Sequence, residues 1–241
     1  MIILIKDLSI KIYSDGADIE KMKYSYSTGY ISGFTTNPSL MKQAGIQNYK
    51  QFVKEVIKEF PDVPVSFEVF SDDFDIMEKE AKKLSSFGNN VFVKIPIMNT
   101  KGESSVPLIK KLSDEGLNLN ITAVFTVKQV NDAVSALNSE SKSIISVFAG
   151  RIADTGIDPM NIMKESAEIC HSKKGVELLW ASSRELLNIF QAQEAGADII
   201  TVTPDLISKF NLIGKNLEEY SLDTVKGFYK DVQSLGYSIL P

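Results

Sequence analysis

The chain has 241 residues, with 26 Lys and Arg against 31 Asp and Glu, one Cys and one His. A lone Cys170 cannot form an intramolecular disulfide, and with only His171 beside it there is no Cys/His set for a zinc site. The formal net charge of -5 gives no basic surface of the kind that nucleic acid or an anionic membrane selects. We therefore expect no nucleic-acid and no membrane partner.

The longest apolar runs fall far short of the roughly 20 residues that a membrane span needs. The apolar stretch from Met1 to Ile5 is too short for a secretory signal, which favours a cytoplasmic protein. No linker rich in Pro, Gly or Ser divides the chain, so residues 1–241 are expected to form a single domain.

Short runs of β-branched residues alternate with helical stripes along the whole chain. The first helical stripe, in residues 49–60, repeats its apolar positions at i, i+3, i+4, i+7, i+8 and i+11, and similar stripes recur in residues 127–137, 162–170 and 222–232. Between the helical stretches, the sequence predicts strands near residues 10–14, 30–34, 64–69, 91–95, 117–121, 143–148, 176–181 and 198–202.

This rhythm is typical of a (β/α)8 TIM barrel, whose parallel strands are joined by helices. The competing fold is an open, doubly wound sheet. Its dinucleotide-binding form carries a G-x-G-x-x-G turn after an early strand, and the sequence has no such turn. We therefore expect the barrel.

Strand alternation predicts which side chains face the barrel interior. In residues 91–96 the apolar positions alternate with Lys94, which therefore faces inward, and the same alternation turns Glu68 and Ser146 inward. The fifth strand adds inward polar residues, and other strand ends carry comparable ones: Asn118, Asn120, Thr122, Asp15, Ser182, Thr201 and Thr203. We expect these residues at the carboxyl ends of the strands, where active sites of such barrels lie.

A lysine held among apolar neighbours is partly desolvated, and a free amine is a nucleophile toward carbonyl groups. Glu68 is a candidate acid/base beside it. Inward polar residues suit the hydroxyls of a sugar, and the planar forks of Arg151 and Arg184 suit a phosphate. The candidates for sugar hydroxyls are Asp15, Asn37, Asn120, Thr122 and Ser146.

Each candidate also has a structural explanation. A strand lysine can be a solvated edge residue, and Glu68 can be the structural partner of a barrel cation. Asn37, which precedes Pro38, can cap a helix, and Arg184 can be a surface charge. Independent structural causes would not gather these polar residues at one end of the strands, so the joint pattern favours a catalytic site.

Six segments of the sequence resemble the transaldolase family, specifically its short, single-domain branch. They occur in the family's order and span most of the chain: GFTTNPSL at 33–40, SFEV at 66–69, VKIP at 93–96, NLNIT at 118–122, SVFAGR at 146–151 and ASSR at 181–184. The resemblance implies a (β/α)8 barrel without metal or cofactor and with a Schiff-base lysine on the fourth strand. Lys94 lies on the fourth expected strand.

The resemblance also implies a role for each matching residue. Lys94 would form the imine, while Asp15 and Glu68 would assist proton transfer, Glu68 through a water that also contacts Thr122. The dihydroxyacetone portion of the substrate would be held by Asn37, Asn120 and Ser146. The sugar phosphate would be bound by Arg151, Ser182 and Arg184, and Phe148 would line the pocket beside the catalytic water.

The implied activity is transfer of a dihydroxyacetone unit from sedoheptulose 7-phosphate or fructose 6-phosphate to an aldose phosphate, in the pentose phosphate pathway. The alternative is the related lyase, fructose 6-phosphate aldolase, which typically carries Gln at the position of Glu68 and Tyr at that of Phe148. A less favoured alternative is a barrel that binds sugar phosphates without catalysis. The residues at positions 68 and 148 favour the transferase.

The sequence departs from the family pattern in three places. Val147 stands where many members have Pro, Glu185 stands where many have Asn, and residues 1–9 are an added segment. The C-terminal helix, expected within residues 221–241, is more apolar than packing on one barrel requires. We therefore expect it to pack partly on a neighbouring subunit of a homo-oligomer.

Overall fold

A computed structural model of the protein describes residues 8–237 and 239–240. Eight parallel strands close into a barrel in sequence order, with β1 hydrogen-bonded to both β2 and β8. The strands are β1 (Lys11–Asp15), β2 (Ile31–Thr35), β3 (Val65–Glu68), β4 (Val91–Pro96), β5 (Leu119–Val124), β6 (Ser143–Val147), β7 (Val176–Trp180) and β8 (Ile199–Val202). The closed barrel confirms the expected fold and excludes the open sheet.

Helices follow the strands and cover the outside of the barrel. They are α1 (Ile19–Ser27), α2 (Pro38–Gln43), α3 (Tyr49–Glu59), α4 (Phe74–Ser85), α5 (Val106–Asp114), α6 (Val127–Ala136), α7 (Ala149–Asp154), α8 (Met160–His171), α9 (Leu187–Glu194), α10 (Pro204–Ile207) and α11 (Leu217–Leu235). The helical stripes correspond to α3, α6, α8 and α11. Residues 1–7 of the added segment lie outside the described residues, while the Ser9 amide donates to Gln193 on α9 at 2.8 Å.

Two hydrophobic clusters show that the strand side chains alternate as expected. Val91, Val93 and Ile95 belong to the large cluster between the barrel and its helices. Phe92, from the same strand, belongs to a small cluster inside the barrel that comprises Tyr13, Phe92, Ile144, Leu179, Ala181 and Ile199. Lys94, two residues after Phe92, therefore faces the interior.

A glycine makes room for the largest aromatic side chain inside the barrel. Tyr13 on β1 is 2% exposed and lies opposite Gly33 on β2 in the strand register. A Cβ atom added to Gly33 would lie 2.5 Å from the Tyr13 ring, a distance that real Cβ atoms do not reach. The close approach of the ring to the strand backbone thus requires glycine at position 33.

The terminal helix differs from the others because it has no buried residue. It begins at Leu217, four residues before the expected boundary. Across the described ranges, no helix combines the length and apolarity that crossing a membrane requires.

Candidate active site

The centre of the site is an ion pair between neighbouring strands. Glu68, the last residue of β3, is paired in register with Lys94 on β4, and the Lys94 Nζ lies 3.0 Å from Glu68 Oε2. The two side chains are only 7% and 17% exposed. The Lys94 ammonium also donates a hydrogen bond to the Thr36 carbonyl at 2.8 Å. Strand register therefore brings a buried amine and a carboxylate into direct contact.

Asp15 lies at the carboxyl end of β1 in the same interior. Its carboxylate accepts a hydrogen bond from Thr35 Oγ1 at 2.7 Å, and that hydroxyl is 2.6 Å from Thr201 Oγ1. Burial raises the pKa of Asp15 above its ordinary value, while the positive charge of Lys94 and the Thr35 hydrogen bond oppose the rise. The protonated form of Asp15 is therefore favoured relative to that of an exposed aspartate.

A cavity of about 130 Å³ opens beside Lys94 at the carboxyl ends of the strands. Its lining includes predicted site residues from six of the strands or the segments that follow them. These are Asp15, Asn37, Lys94, Thr122, Ser146, Phe148, Arg151 and Ser182. The cavity is also lined by Thr35, Leu179, Ala181 and Thr201.

Below the cavity, Asn120 is fully buried and both ends of its amide are occupied. Its Nδ2 donates to Ser66 Oγ at 3.0 Å, and its Oδ1 accepts from Ser146 Oγ at 2.7 Å. The buried Thr122 Oγ1, by contrast, has no hydrogen-bond partner among the described residues. The Thr122 hydroxyl thus has unused hydrogen-bonding capacity, whereas Asn120 holds the Ser146 hydroxyl in place.

Asn37 has the capping role that its position before Pro38 suggests. Its side-chain oxygen accepts from the Leu40 amide at 3.0 Å, and Pro38 takes the first position of α2. The side chain also lines the cavity. The structural and the functional interpretation of Asn37 are therefore compatible.

The two predicted phosphate-binding arginines lie in different environments. Arg151 lines the cavity, and its guanidinium carbon lies 5.4 Å from the centre of the Phe148 ring, within cation–π range. Arg184 forms an ion pair with Asp154, with Nε donating to Oδ1 at 3.0 Å, and both side chains are about half exposed. The structure therefore brings Arg151 to the cavity, whereas Arg184 has the surface pairing weighed as an alternative.

The backbone around Ser182 is closely packed. Ser182 has a positive φ of 64°, and its carbonyl oxygen would lie 1.6 Å from a Cβ atom added to Gly150. Glycine at position 150 therefore allows α7, which carries Arg151, to approach the loop that carries Ser182.

Two further interior polar residues were not among the predicted site residues. Thr35 positions the Asp15 carboxylate, and Ser66 accepts from Asn120. Thr35 lies two residues after Gly33, and Ser66 lies two residues before Glu68, so each shares the inward face of its strand. Strand alternation therefore predicts that both side chains face the interior.

The expectation that Asn118 lies at the carboxyl ends of the strands is wrong. It precedes β5, its amide donates to the Asn89 carbonyl at 3.0 Å, and it lines a depression at the opposite, amino end of the barrel. The strand was expected to begin at residue 117 but begins at Leu119, so Asn118 lies at its entry. The alternation of side chains along a strand predicts the face on which a residue lies, but not how close the residue is to either end of the strand.

Comparison with known proteins gives the family. The family model described as Transaldolase/Fructose-6-phosphate aldolase matches residues 12–239. This chain belongs to that family.

Individual proteins that are similar to this chain agree with this assignment. A protein named probable transaldolase from Nitrosopumilus maritimus is 36% identical over 203 residues, which cover 83% of this chain and 86% of the relative. One of the same name from Methanococcus maripaludis is 36% identical over 222 residues, covering 89% and 97%. Another from Carboxydothermus hydrogenoformans is 37% identical over 194 residues, covering 80% and 86%.

Proposed function

We propose that the protein is a transaldolase that transfers a dihydroxyacetone unit between sugar phosphates in the pentose phosphate pathway. The observation that carries the proposal is the buried contact of Lys94 Nζ with Glu68 Oε2 at 3.0 Å, beside a cavity at the carboxyl end of the barrel. A buried amine that contacts a carboxylate and lines such a cavity suits covalent catalysis on a ketone. The donors we propose are fructose 6-phosphate and sedoheptulose 7-phosphate.

The first step is formation of the imine. The ammonium of Lys94 gives a proton to Glu68, and the free amine attacks the C2 ketone of the donor. Protonated Glu68 returns its proton to the C2 hydroxyl of the resulting carbinolamine, which leaves as water, so that an iminium forms between C2 and the Lys94 nitrogen and Glu68 is again a carboxylate. The Thr36 carbonyl, which accepts from Lys94 at 2.8 Å, orients the nitrogen for this attack.

The second step breaks the bond between C3 and C4. A carboxylate, Glu68 with assistance from Asp15, removes the C4 hydroxyl proton, through a water that also contacts Thr122. The electron pair of the C3–C4 bond passes to the iminium nitrogen, so an aldose phosphate leaves and an enamine of dihydroxyacetone remains on Lys94. Addition to a second aldose phosphate reverses these movements, and hydrolysis of the new imine releases the product ketose phosphate.

The remaining lining residues suit the two ends of the substrate. The free hydroxyl of Thr122 and the oriented hydroxyl of Ser146 suit the dihydroxyacetone end, together with Asn37. Arg151 and Ser182 suit the phosphate end. Arg184 is proposed to join the phosphate after it leaves Asp154.

Transfer is favoured over the lyase reaction by two residues of the site. Glu at position 68 gives an anionic base, and Phe148 places an apolar ring without a hydroxyl at the cavity wall. The carboxylate takes up and returns the substrate hydroxyl proton, and the lack of a hydroxyl at Phe148 removes a group that would activate water at the enamine, which then survives until an aldose acceptor arrives.

The decisive experiment is borohydride reduction in the presence of fructose 6-phosphate, followed by peptide mass mapping. We expect a reduced three-carbon or six-carbon adduct on the peptide that carries Lys94, and none in Lys94→Ala. Normal turnover by Lys94→Ala, or an adduct on another lysine, would contradict the proposed mechanism.

A second assay separates the transferase from the lyase and from a non-catalytic binding protein. With fructose 6-phosphate alone we expect little free dihydroxyacetone, whereas addition of a four-carbon aldose phosphate should give a seven-carbon ketose phosphate. Steady release of dihydroxyacetone without an acceptor would support the lyase. Binding of fructose 6-phosphate without any turnover would support the non-catalytic barrel.

We also propose that α11 packs on a neighbouring copy of the chain in a homo-oligomer. No residue of this helix is buried, and it exposes a continuous apolar stripe. The stripe comprises Leu222, Val225, Phe228, Tyr229, Val232 and Leu235. A helix that exposes such a stripe is more stable when the stripe is covered.

Sedimentation tests the proposed association. Val225→Asp puts a charge into the stripe and should lower the sedimenting mass, while the barrel keeps its circular dichroism spectrum. Gly227→Asp is the matched control, because it adds the same charge on the other side of the helix, where a Cβ would meet no atom within 4 Å. An unchanged mass in Val225→Asp would contradict the proposal.

A further inference from the structure

The hydroxyl of Tyr49 contacts the backbone of Glu68. Tyr49 Oη donates a hydrogen bond to the Glu68 carbonyl at 2.9 Å, from α3 on the outside of the barrel. Tyr49 does not line the cavity beside Lys94. The contact therefore concerns where the carboxylate of Glu68 is held and not the reacting atoms.

The strand ladder explains why a side chain is needed at this carbonyl. Along β2 and β3, the Phe34 amide donates to the Pro64 carbonyl and the Thr36 amide donates to the Ser66 carbonyl. With this alternation, the next donor to the Glu68 carbonyl would be the amide of residue 38. Residue 38 is proline and has no N–H. The Tyr49 hydroxyl supplies the hydrogen bond that the ladder cannot.

The position of Tyr49 is itself fixed by its surroundings. It is the first residue of α3, which begins after the N-cap Asn48. Its ring stacks on Phe70 with centroids 4.4 Å apart and meets Phe67 edge-on at 6.4 Å. Burial and the nearby Glu68 charge raise the pKa of Tyr49, so its hydroxyl stays protonated and remains a donor throughout the working pH range.

We propose that Tyr49 is a positioning residue for the acid/base Glu68. Its hydroxyl anchors the end of β3, so that the Glu68 carboxylate stays at 3.0 Å from the Lys94 nitrogen. This inference rests on the proposed transaldolase function. It assigns to a residue outside the cavity the placement of the carboxylate that transfers the proton, while substrate binding remains with the cavity residues.

Tyr49→Phe removes the hydroxyl and keeps the stacked ring. We expect kcat for transfer from fructose 6-phosphate to fall about three- to tenfold, the effect of losing one neutral hydrogen bond on the placement of the base. KM for the donor should stay within about twofold, because the cavity lining is unchanged. Tyr24→Phe is the matched control, since Tyr24 is 60% exposed and its variant should retain wild-type kcat.

A double-mutant cycle shows whether the effect passes through Glu68. In Glu68→Gln, adding Tyr49→Phe should cause no further loss of kcat, since the positioned carboxylate is already gone. Equal losses from Tyr49→Phe with and without Glu68→Gln would overturn the inference, as would an unchanged kcat in Tyr49→Phe.

A measurement without turnover separates this inference from the proposed function. In protein carrying ¹³C-labelled glutamate, the carboxyl signal of Glu68 is the one lost in Glu68→Gln. We expect Tyr49→Phe to shift or broaden that signal and Tyr24→Phe to leave it alone. If the wild type forms no imine while the signal moves, the proposed function fails and the positioning contact stands. If the signal does not move, the positioning role is wrong.

Discussion

Two lysine–glutamate pairs lie at opposite ends of this barrel. At the carboxyl end, Lys94 and Glu68 are 7% and 17% exposed, and the Lys94 nitrogen has a second partner in the Thr36 carbonyl. At the amino end, Lys11 and Glu177 also form an ion pair, but their side chains are 49% and 34% exposed. The same two residue types are therefore desolvated in one place and hydrated in the other.

Cavity volume, unlike charge burial, is larger at the amino end. The depression at the amino end has a volume of about 970 Å³, against about 130 Å³ for the cavity beside Lys94. Water in the larger depression screens its charges, so their fields act weakly on anything bound there. The comparison teaches that the end proposed to be reactive is distinguished by the burial of its opposed charges and not by cavity volume.

The largest expected difference between the two ends comes from the lysines. Lys94→Ala should lower turnover by about 10³-fold or more, because the proposed covalent step then has no nucleophile. Lys11→Ala should leave kcat unchanged, because the exposed pair at the amino end contributes little. Steady-state assays of both variants check this, and comparable losses in the two would remove the contrast between the ends.

The glutamates should differ by a smaller factor. Glu68→Gln is expected to lower kcat by about 10²- to 10⁴-fold, the range typical of removing a general acid/base. Glu177→Gln should retain wild-type kcat, since Glu177 faces the amino-end depression. Wild-type activity in Glu68→Gln would show that another group moves the proton.

Asp15 allows a test of burial through pH. Because burial raises the pKa of Asp15 in the folded protein, folding favours its protonated form. Below the ordinary pKa of 3.8, ionisation of Asp15 does not lower the free energy of unfolding. As the pH rises through the raised folded pKa, the buried carboxylate lowers the free energy of unfolding progressively. Asp15→Asn should therefore gain unfolding free energy relative to wild type at neutral pH, with the gain vanishing in acid. It should also lose activity, by less than Glu68→Gln does.

Urea unfolding between pH 4 and pH 8 measures this dependence. Asp62, which is exposed, provides a hydrated aspartate for comparison. A gain in Asp15→Asn that is the same at every pH would mean that ionisation of Asp15 does not contribute.

The smallest expected effect concerns stability in the amino half of the barrel interior. Gly33→Ala should lower the unfolding free energy by about 1–3 kcal/mol, because the new methyl overlaps the Tyr13 ring. The kcat of the folded fraction should stay near the wild-type value. Gly227→Ala in α11 is the control, since its methyl would meet no atom within 4 Å and alanine favours the helix. A large loss of kcat in folded Gly33→Ala would show that the amino half of the interior also affects catalysis, which contradicts the expected division between the two ends.

Much of the fold could be predicted because its signals are local. The alternation along β4 placed Lys94 inside the barrel, and the i, i+3, i+4 stripe placed α3. The boundaries are not local in this sense: β5 begins at Leu119 and α11 at Leu217, because the ends of elements depend on hydrogen-bonding partners elsewhere in the chain. That difference placed Asn118 at the wrong end of the barrel.

By itself, the sequence determined the eight-strand rhythm, the inward parity of Lys94 and Glu68, and the family motifs. The tertiary structure alone decided which of these side chains meet. It brought Lys94 and Glu68 to 3.0 Å, engaged Arg184 with Asp154, and set Tyr49 against the Glu68 carbonyl. The physical reason is that parity and periodicity are properties of one strand or helix, whereas contacts depend on the register between strands and on the helices packed against them.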